Sequence, residues 1–310
     1  AIAVLAGLTP PDWERVFYDD RLETIDYEQP TDLVAISVET FTARRSYQIA
    51  DEYRKRGVAV VMGGYHATLC PDEVLQHADA VCIGDGEGIW GDILHDVLLK
   101  RLSRTYQAKQ TEDLKGVTPD RSIFGGKDYL FITLVETGRG CRFRCEFCSI
   151  TAFYKATYRR RAVEEVVNEL RELKKKLIFF VDDNIIGDIK SAKELFRAIK
   201  PLGIRWVSQG SLNAATDPEL IKLMAESGCQ GLLVGFESLN SATLTAIGKP
   251  INREIDYTWA IRQFRRHGIM VYGSFMFGLP GDTAQLVHDT MEFAQKNKLW
   301  IGAFLHTVPF

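Results

Sequence analysis

Two successive runs of alternating strand and helix predict an α/β chain of two domains. The first is a parallel sheet with helices on both faces, and the second a partial (β/α)6 barrel. Three observations carry this. Short apolar runs rich in β-branched residues recur between amphipathic helical stretches, the pattern of βαβ units. The alternation lapses once, over a polar stretch from about residue 100 to 130. Three of the six cysteines then fall within 141-CRFRCEFC-148, just after the first strand of the second run.

The first run opens in a helical pattern, 1-AIAVLAGL-8. The apolar run 33-LVAISV-38 leads into helix 42-TARRSYQIADEYRKRG-57, which Gly57 ends. Strand 58-VAVVMGG-64 breaks into a glycine pair. Helix 71-PDEVLQHA-78, strand 80-AVCIG-84 and a helix from Glu87 to Leu99 follow. In such sheets ligands bind beyond the carboxyl ends of the strands, where the glycine pair and 84-GDGEG-88 both fall. This places one domain over residues 1–105, a linker over 106–129 and the barrel over 130–310.

In the second run, strands fit 130-LFITLVE-136, 177-LIFFVDD-183, 204-IRWVSQG-210, 231-GLLVGFE-237, 269-IMVYGSFMFG-278 and 300-WIGAFLH-306. Helices fit 162–176, 190–202, 217–228 and 254–268. Asp217-Pro218 is a strong helix start, and Gly228 and Gly268 are strong stops. Six units fall short of the eight that close a full barrel. The first residue is not Met, and 306-HTVPF-310 ends in an apolar run, so the sequence reads as part of a longer protein whose barrel continues.

The 310 residues are 46% hydrophobic and 25% charged, with a net charge of −3. That is a globular balance without the basic excess expected of a nucleic-acid partner. No apolar run approaches the roughly 20 residues that span a bilayer, and no secretory signal is visible. Six cysteines are too few for a disulfide scaffold in a chain this long. Three clustered and three scattered point to a reducing, cytoplasmic setting with one cysteine site. The scattered Cys70, Cys82 and Cys229 read as small buried residues.

Three thiolates on one loop hold three corners of a metal cluster. A structural zinc site needs a fourth ligand, yet the nearest downstream histidine is His267 and no second CxxC exists. A redox pair uses two cysteines. A [4Fe–4S] cluster held by three cysteines leaves one iron open to an outside ligand.

The CxxxCxxC spacing, with Phe147 before its third cysteine, resembles the radical S-adenosylmethionine (radical SAM) enzymes. The segments 228-GCQGLLVGFESLN-240, 246-AIGKP-250 and 273-GSFMFGLPGDT-283 extend the resemblance over about residues 130–310. It implies that Cys141, Cys145 and Cys148 ligate three irons of a [4Fe–4S] cluster. The amino and carboxylate groups of SAM chelate the fourth, and one electron cleaves SAM to a 5′-deoxyadenosyl radical. The backbone at Phe147 is implied to meet the adenine. The family's glycine-glycine-glutamate stretch, which holds the SAM ammonium, is replaced here by Val181-Asp182-Asp183. Asp182 and Asp183 become candidates for that contact, against a reading of Asp182-Asp183-Asn184 as a turn and helix cap. Gln209, Ser211, Glu237 and Ser238 end strands. They are candidates for the ribose and methionine parts of SAM, against satisfaction by nearby backbone. Arg159, Arg160 and Arg161 read as a solvated run, or as one partner for the SAM carboxylate.

The first domain resembles cobalamin-binding domains, so the fold class becomes a Rossmann-like cobalamin-binding-type domain followed by the barrel. Ser37, Val38 and Glu39 match the family's serine stretch, and Gly63 and Gly64 its glycine pair. Both line the nucleotide tail, which leaves no room for a Cβ. The string 62-MGGYHATLCPDEVLQHADAVCIGDGE-87 is typical of cobalamin-dependent radical SAM enzymes and adds Tyr65, His66, Gly84 and Glu87 as edge candidates. The DxHxxG loop and the strand before it are missing, which implies cobalt that is base-off without a histidine ligand. Only Cys70 and Cys82 lie in this half, against the three further cysteines of methylthiotransferases.

The group includes the anaerobic magnesium-protoporphyrin ester cyclase and the hopanoid methylases. It implies methylation of an unactivated carbon in a small-molecule or lipid-like substrate, fed by a donor such as flavodoxin or ferredoxin. Cyclisation or rearrangement with the same cofactors, a degenerate first domain that binds no cobalamin, and a non-catalytic iron–sulfur carrier remain as alternatives.

Overall fold

The computed structural model describes residues 1–108, 114–279, 281–299 and 302–306. It divides into two compact units, Ala1–Leu130 and Phe131–Phe310.

The first unit holds α1 (Ile2–Leu8), β1 (Leu33–Ser37), α2 (Ala43–Lys55), β2 (Ala59–Gly63), α3 (Tyr65–Leu69), α4 (Pro71–Val74), β3 (Ala80–Ile83), α5 (Trp90–Leu98) and β4 (Thr105–Gln107). The four strands are parallel, in the order β1-β2-β3-β4. Strand periodicity divides their side chains between two cores. Val60, Met62 and Val81 join Ala43, Ala50 and Tyr53 of α2 on one face. Val61, Ala80 and Cys82 join Trp90, Ile93 and Leu94 of α5 on the other. The sheet is therefore covered on both sides, as expected. Among the described residues no strand precedes β1, which forms a sheet edge. A groove of about 2000 Å³ runs along that edge, touching Leu33, Ile36 and Ser37.

Two expectations change here. The helix anticipated over 71–78 is shortened to α4, Pro71–Val74, whose proline suits a helix start, and an unanticipated α3, Tyr65–Leu69, precedes it. The presumed linker 106–129 belongs to the first unit. It carries most of β4 and a 3₁₀ turn at Arg121–Phe124, while residues 109–113 lie outside the described residues. Three strand residues with alternating burial are too short to show a period in sequence.

The second unit holds β5 (Thr133–Val135), β6 (Gly138–Gly140), α6 (Ser149–Tyr154), β7 (Tyr158–Arg160), α7 (Val163–Leu173), β8 (Leu177–Phe180), α8 (Ile189–Ile199), β9 (Arg205–Gly210), α9 (Pro218–Glu226), β10 (Cys229–Glu237), α10 (Ser241–Ala246), α11 (Tyr257–Arg266), β11 (Met270–Phe277), α12 (Ala284–Lys296) and β12 (Gly302–His306). Six parallel strands run β5-β8-β9-β10-β11-β12, with β5 and β12 as unjoined edges, the order of an open partial barrel.

Helix faces follow the 3.6-residue period. In α8, Ala192, Leu195, Phe196 and Ile199 are buried. Phe196 stacks on Trp206 of β9 at 5.1 Å, and Trp206 meets Phe180 of β8 edge-on at 5.6 Å. Each such fully buried large side chain contributes about 1.5–3 kcal/mol. Caps fix the helix starts. The Asp217 carboxylate accepts from Leu220 N with Pro218 at the first position, as the sequence indicates, and Asp188 and Asp256 act alike. The short α6 and α10, the polar α12 and the antiparallel β6–β7 pair are further elements without a strong sequence period. The expected last strand begins at residue 302, since Trp300 and Ile301 lie outside the described residues, as does Pro280 of the GLPGDT segment.

Candidate active site

In the second unit, the loop bearing Cys141, Cys145 and Cys148 leaves β6 and enters α6 directly after Cys148. All three thiols are free. Cys148 N donates to Cys145 O at 3.2 Å, forming a tight turn. The loop rests on the turn after α10: Glu146 N donates to Ile247 O at 3.2 Å, and a Cβ on Gly248 would stand 3.0 Å from Arg144 O. Burial pushes the Cys145 thiol up to about 11, with the nearby Lys249 ammonium acting in the opposite sense.

The end of β8 carries Asp182 and Asp183, the candidates for the SAM ammonium, and contacts the segment leading to this loop. Asp182, offered for the SAM ammonium, is 1% exposed. Its two oxygens accept from the backbone N and hydroxyl of Thr137, and Arg160 stands 4.0 Å away. Asp183 accepts from Gly140 N at 2.7 Å. Each carboxylate accepts from a backbone N–H of the segment leading to the cysteines, and so tethers it. Gly140 has φ +85°, and a Cβ there would lie 2.2 Å from Thr157 O, so the tether demands glycine. Asn184 reaches the cysteines directly: its Nδ2 lies 3.6 Å from Cys141 Sγ and 3.2 Å from Ser211 Oγ. The sequence marks Asn184 only as part of a turn.

The other strand ends divide. Gln209 O accepts from Ile185 N at 3.0 Å, joining the ends of β8 and β9. Ser211 is buried beside Asn184. Glu237 ends β10 at φ +66°, strained for a non-glycine residue, and its Oε1 meets Lys249 Nζ at 2.6 Å. Ser238 is 2% exposed and accepts from Asn240 N at 3.0 Å. Glu237 and Ser238 are thus satisfied within the protein. Phe147 packs against the barrel core. Arg159, Arg160 and Arg161 are not a solvated run. They lie in or beside β7, where Arg160 donates to Thr137 Oγ1 at 2.9 Å and Arg161 pairs with Glu169. Antiparallel pairing of β6 with β7 turns these arginines inward, a non-local cause that charge counting misses.

In the first unit, the two candidate stretches meet at the carboxyl ends of adjacent strands. Ser37 pairs in register with Gly63. Val38 N donates to Gly63 O at 2.8 Å, and His66 N to Val38 O at 3.0 Å. Gly64 has φ +100°, and a Cβ there would lie 2.9 Å from Val38 O and 3.3 Å from Ser37 Oγ. Replacing Gly64 by alanine is expected to lower stability by roughly 1–3 kcal/mol and to lose bound cobalamin. Thermal melting and cobalt retained through gel filtration check this, and unchanged values of both would refute it.

Gly84 N, just after β3, donates to Thr68 Oγ1 at 2.9 Å. Glu39, half-buried, has its carboxyl raised by burial. Tyr65 starts α3, and Glu87 lies in the turn before α5. His66 is 6% exposed, with its ring nitrogens beside Tyr47 Oη at 2.9 Å and Thr40 Oγ1 at 3.3 Å. It braces α3 against α2. Of the scattered cysteines, Cys82 and Cys229 are buried as expected. Cys70 is only half-buried, grouped with His66 and Glu73.

The residues present fit both implied groups. Three free thiols on one tethered loop suit a cluster's three cysteine-bound irons, and they form no single-ion site among the described residues. Ser37 and Gly64 lie at the carboxyl ends of adjacent parallel strands, where ligands of such sheets bind, and Gly64 packs too close to Val38 for any Cβ. No helix of the described residues is long and apolar enough to cross a membrane.

Comparison with known proteins agrees. The Radical SAM superfamily matches residues 135–294, and the B12 binding domain matches residues 4–94. Bacteriochlorophyllide d C-8(2)-methyltransferase of Chlorobaculum tepidum is 30% identical over all of this chain and 73% of its own length. The C-12(1)-methyltransferase of the same organism is 30% identical over all of this chain and 71% of its own. The structure of the radical SAM methyltransferase TsrM from Kitasatospora setae, with cobalamin and [4Fe-4S] cluster bound, superposes with a TM-score of 0.75 at 18% identity. That superposition covers 92% of this chain and 63% of TsrM. With one profile over its barrel, a second over its N-terminal sheet and methyltransferases aligned along its whole length, this chain belongs to the cobalamin-dependent radical SAM enzymes.

Proposed function

We propose that the chain methylates an unactivated carbon of a small molecule, using a [4Fe–4S] cluster, SAM and cobalamin. The observation that carries the reading is the pairing of two prepared sites in one chain: the tethered three-thiol loop and the Gly64 turn. When bound, the cluster and SAM supply a hydrogen-abstracting radical, and cobalamin supplies a methyl group. The chain's own residues do the rest. Asp182 and Asp183 hold the cysteine loop in place. Lys249 and Glu237 neutralise one another beside it. Ser37 and Gly64, at the carboxyl ends of β1 and β2, would line the nucleotide tail of a bound cobalamin. His66 is engaged with Tyr47 and Thr40, so it would brace α3 and would not serve as a ligand to a bound cobalamin. An external one-electron donor of flavodoxin or ferredoxin type completes the cycle in the cytoplasm, and no nucleic acid takes part.

Both relatives at 30% identity are bacteriochlorophyllide d methyltransferases, which makes a tetrapyrrole the first substrate class to try. The test is anaerobic purification with cobalamin supplied, then metal counts and incubation with methyl-labelled SAM. About four irons and about one cobalt per chain, with label in the tetrapyrrole, are expected. Iron without cobalt after reconstitution would sink the cobalamin role. Both metals with an unlabelled but altered product would favour cyclisation or rearrangement.

A further inference from the structure

We infer that Asn184 sets the reduction potential of the cluster through an N–H···S hydrogen bond to Cys141. The inference rests on the reading of the three cysteines as cluster ligands. Asn184 is 3% exposed, and its amide nitrogen lies 3.6 Å from Cys141 Sγ and 3.2 Å from Ser211 Oγ. Its position is held on both sides. Asp182 and Asp183 are tied to Thr137 and Gly140, and Ile185 N is tied to Gln209 O at 3.0 Å. Its Oδ1 is buried and has no hydrogen-bond partner among the described residues.

Leaving an acceptor unsatisfied costs free energy, so the orientation of the amide has to be favoured by the other end. The opposite orientation would aim the carbonyl lone pairs at a thiolate sulfur. With the NH2 end toward the sulfur, the amide dipole opposes the negative charge of a ligated Cys141. One-electron reduction makes the cluster more negative, so a donor on its sulfur stabilises the reduced form more than the oxidised one. Hydrogen bonds to sulfur are among the factors that set iron–sulfur potentials, and a buried site screens them little. Ser211 fixes the amide plane and makes the donor part of the fold.

The test is an anaerobic redox titration of the reconstituted full chain without SAM, followed by electron paramagnetic resonance, with iron counted in each sample. Asn184→Leu keeps the shape and removes the donor. Asn184→Asp keeps the size and replaces the donor with a charged acceptor. Both variants are expected to retain wild-type iron and to become harder to reduce. The equilibrium shift is expected to approach tenfold, about 59 mV for one electron, and to be larger for Asn184→Asp. If Asn184→Leu fails to assemble a cluster, Asn184→Asp alone decides by its potential. Unchanged potentials in iron-loaded variants overturn the inference. So does loss of iron from both variants while the wild type stays loaded, since Asn184 would then serve assembly only. A wild-type chain that takes up no cluster would instead refute the underlying reading of the three cysteines as cluster ligands.

Discussion

Replacing Cys145 by serine is expected to strip the iron from the chain and abolish SAM cleavage while leaving the fold intact. Cys145 is 7% exposed, at the middle of the three-thiol loop. Serine has nearly the same shape, so the turn closed by Cys148 N onto Cys145 O survives. The chemistry does not survive. A hydroxyl is a harder and far less acidic ligand than a thiol, and iron–sulfur clusters are held by thiolates. Changing a group that merely supports a metal ligand costs roughly 10–100-fold in affinity or activity, so losing a ligand is expected to cost more. Iron per chain, 5′-deoxyadenosine released under dithionite, and a thermal melt together read the result. A variant with a full iron count and normal SAM cleavage would show that Cys145 is not a ligand.

The second large effect is on stability, at Asp182. Asp182→Ala leaves the Thr137 N–H buried without its acceptor and takes the carboxylate from beside Arg160. Removing one partner from a buried polar set costs more than the set contributed, here about 2–4 kcal/mol. The loss falls on the segment leading to the cysteines, so cluster retention declines with it. Asp182 also gives the protein a pH signature. Burial raises its carboxyl to about 6, while the Thr137 and Arg160 contacts offset only part of the cost. The folded state then binds this proton more tightly than the unfolded chain does. The group's contribution is therefore fully present below its ordinary value of 3.8 and is lost as pH rises through about 6. Asp182→Asn is expected to flatten that part of the stability profile. Denaturant melts of both proteins from pH 4 to pH 7 check it, and parallel profiles would refute it.

Much of this was legible in the residues. The barrel strands are apolar runs, and four of its helices carry a clear 3.6-residue stripe, so periodicity alone located them. The cysteine spacing marked the candidate cluster loop, because three thiols on one short loop have few other uses. The Ser37 and Gly63-Gly64 stretches, some 25 residues apart, came together as anticipated because parallel register forces neighbouring strand ends into contact. Other parts were not legible. The fourth strand of the first sheet has three residues, and α12 buries little, so neither leaves a pattern.

The sequence by itself determined the two α/β architectures and singled out the three-cysteine loop and the Gly63-Gly64 turn. These depend on local periodicity, fixed spacing and the lack of a Cβ. Only the tertiary structure decided what the polar strand ends do. Asp182, Asp183 and Asn184 look alike as a turn. Folding brings them onto Thr137, Gly140 and Cys141, more than forty residues earlier, and makes two of them tethers and one a donor to sulfur. Glu237 takes its partner in Lys249, Arg161 in Glu169, and Arg159 and Arg160 are placed by pairing with β6. A polar side chain takes its role from the partner it meets, and long-range pairing chooses that partner.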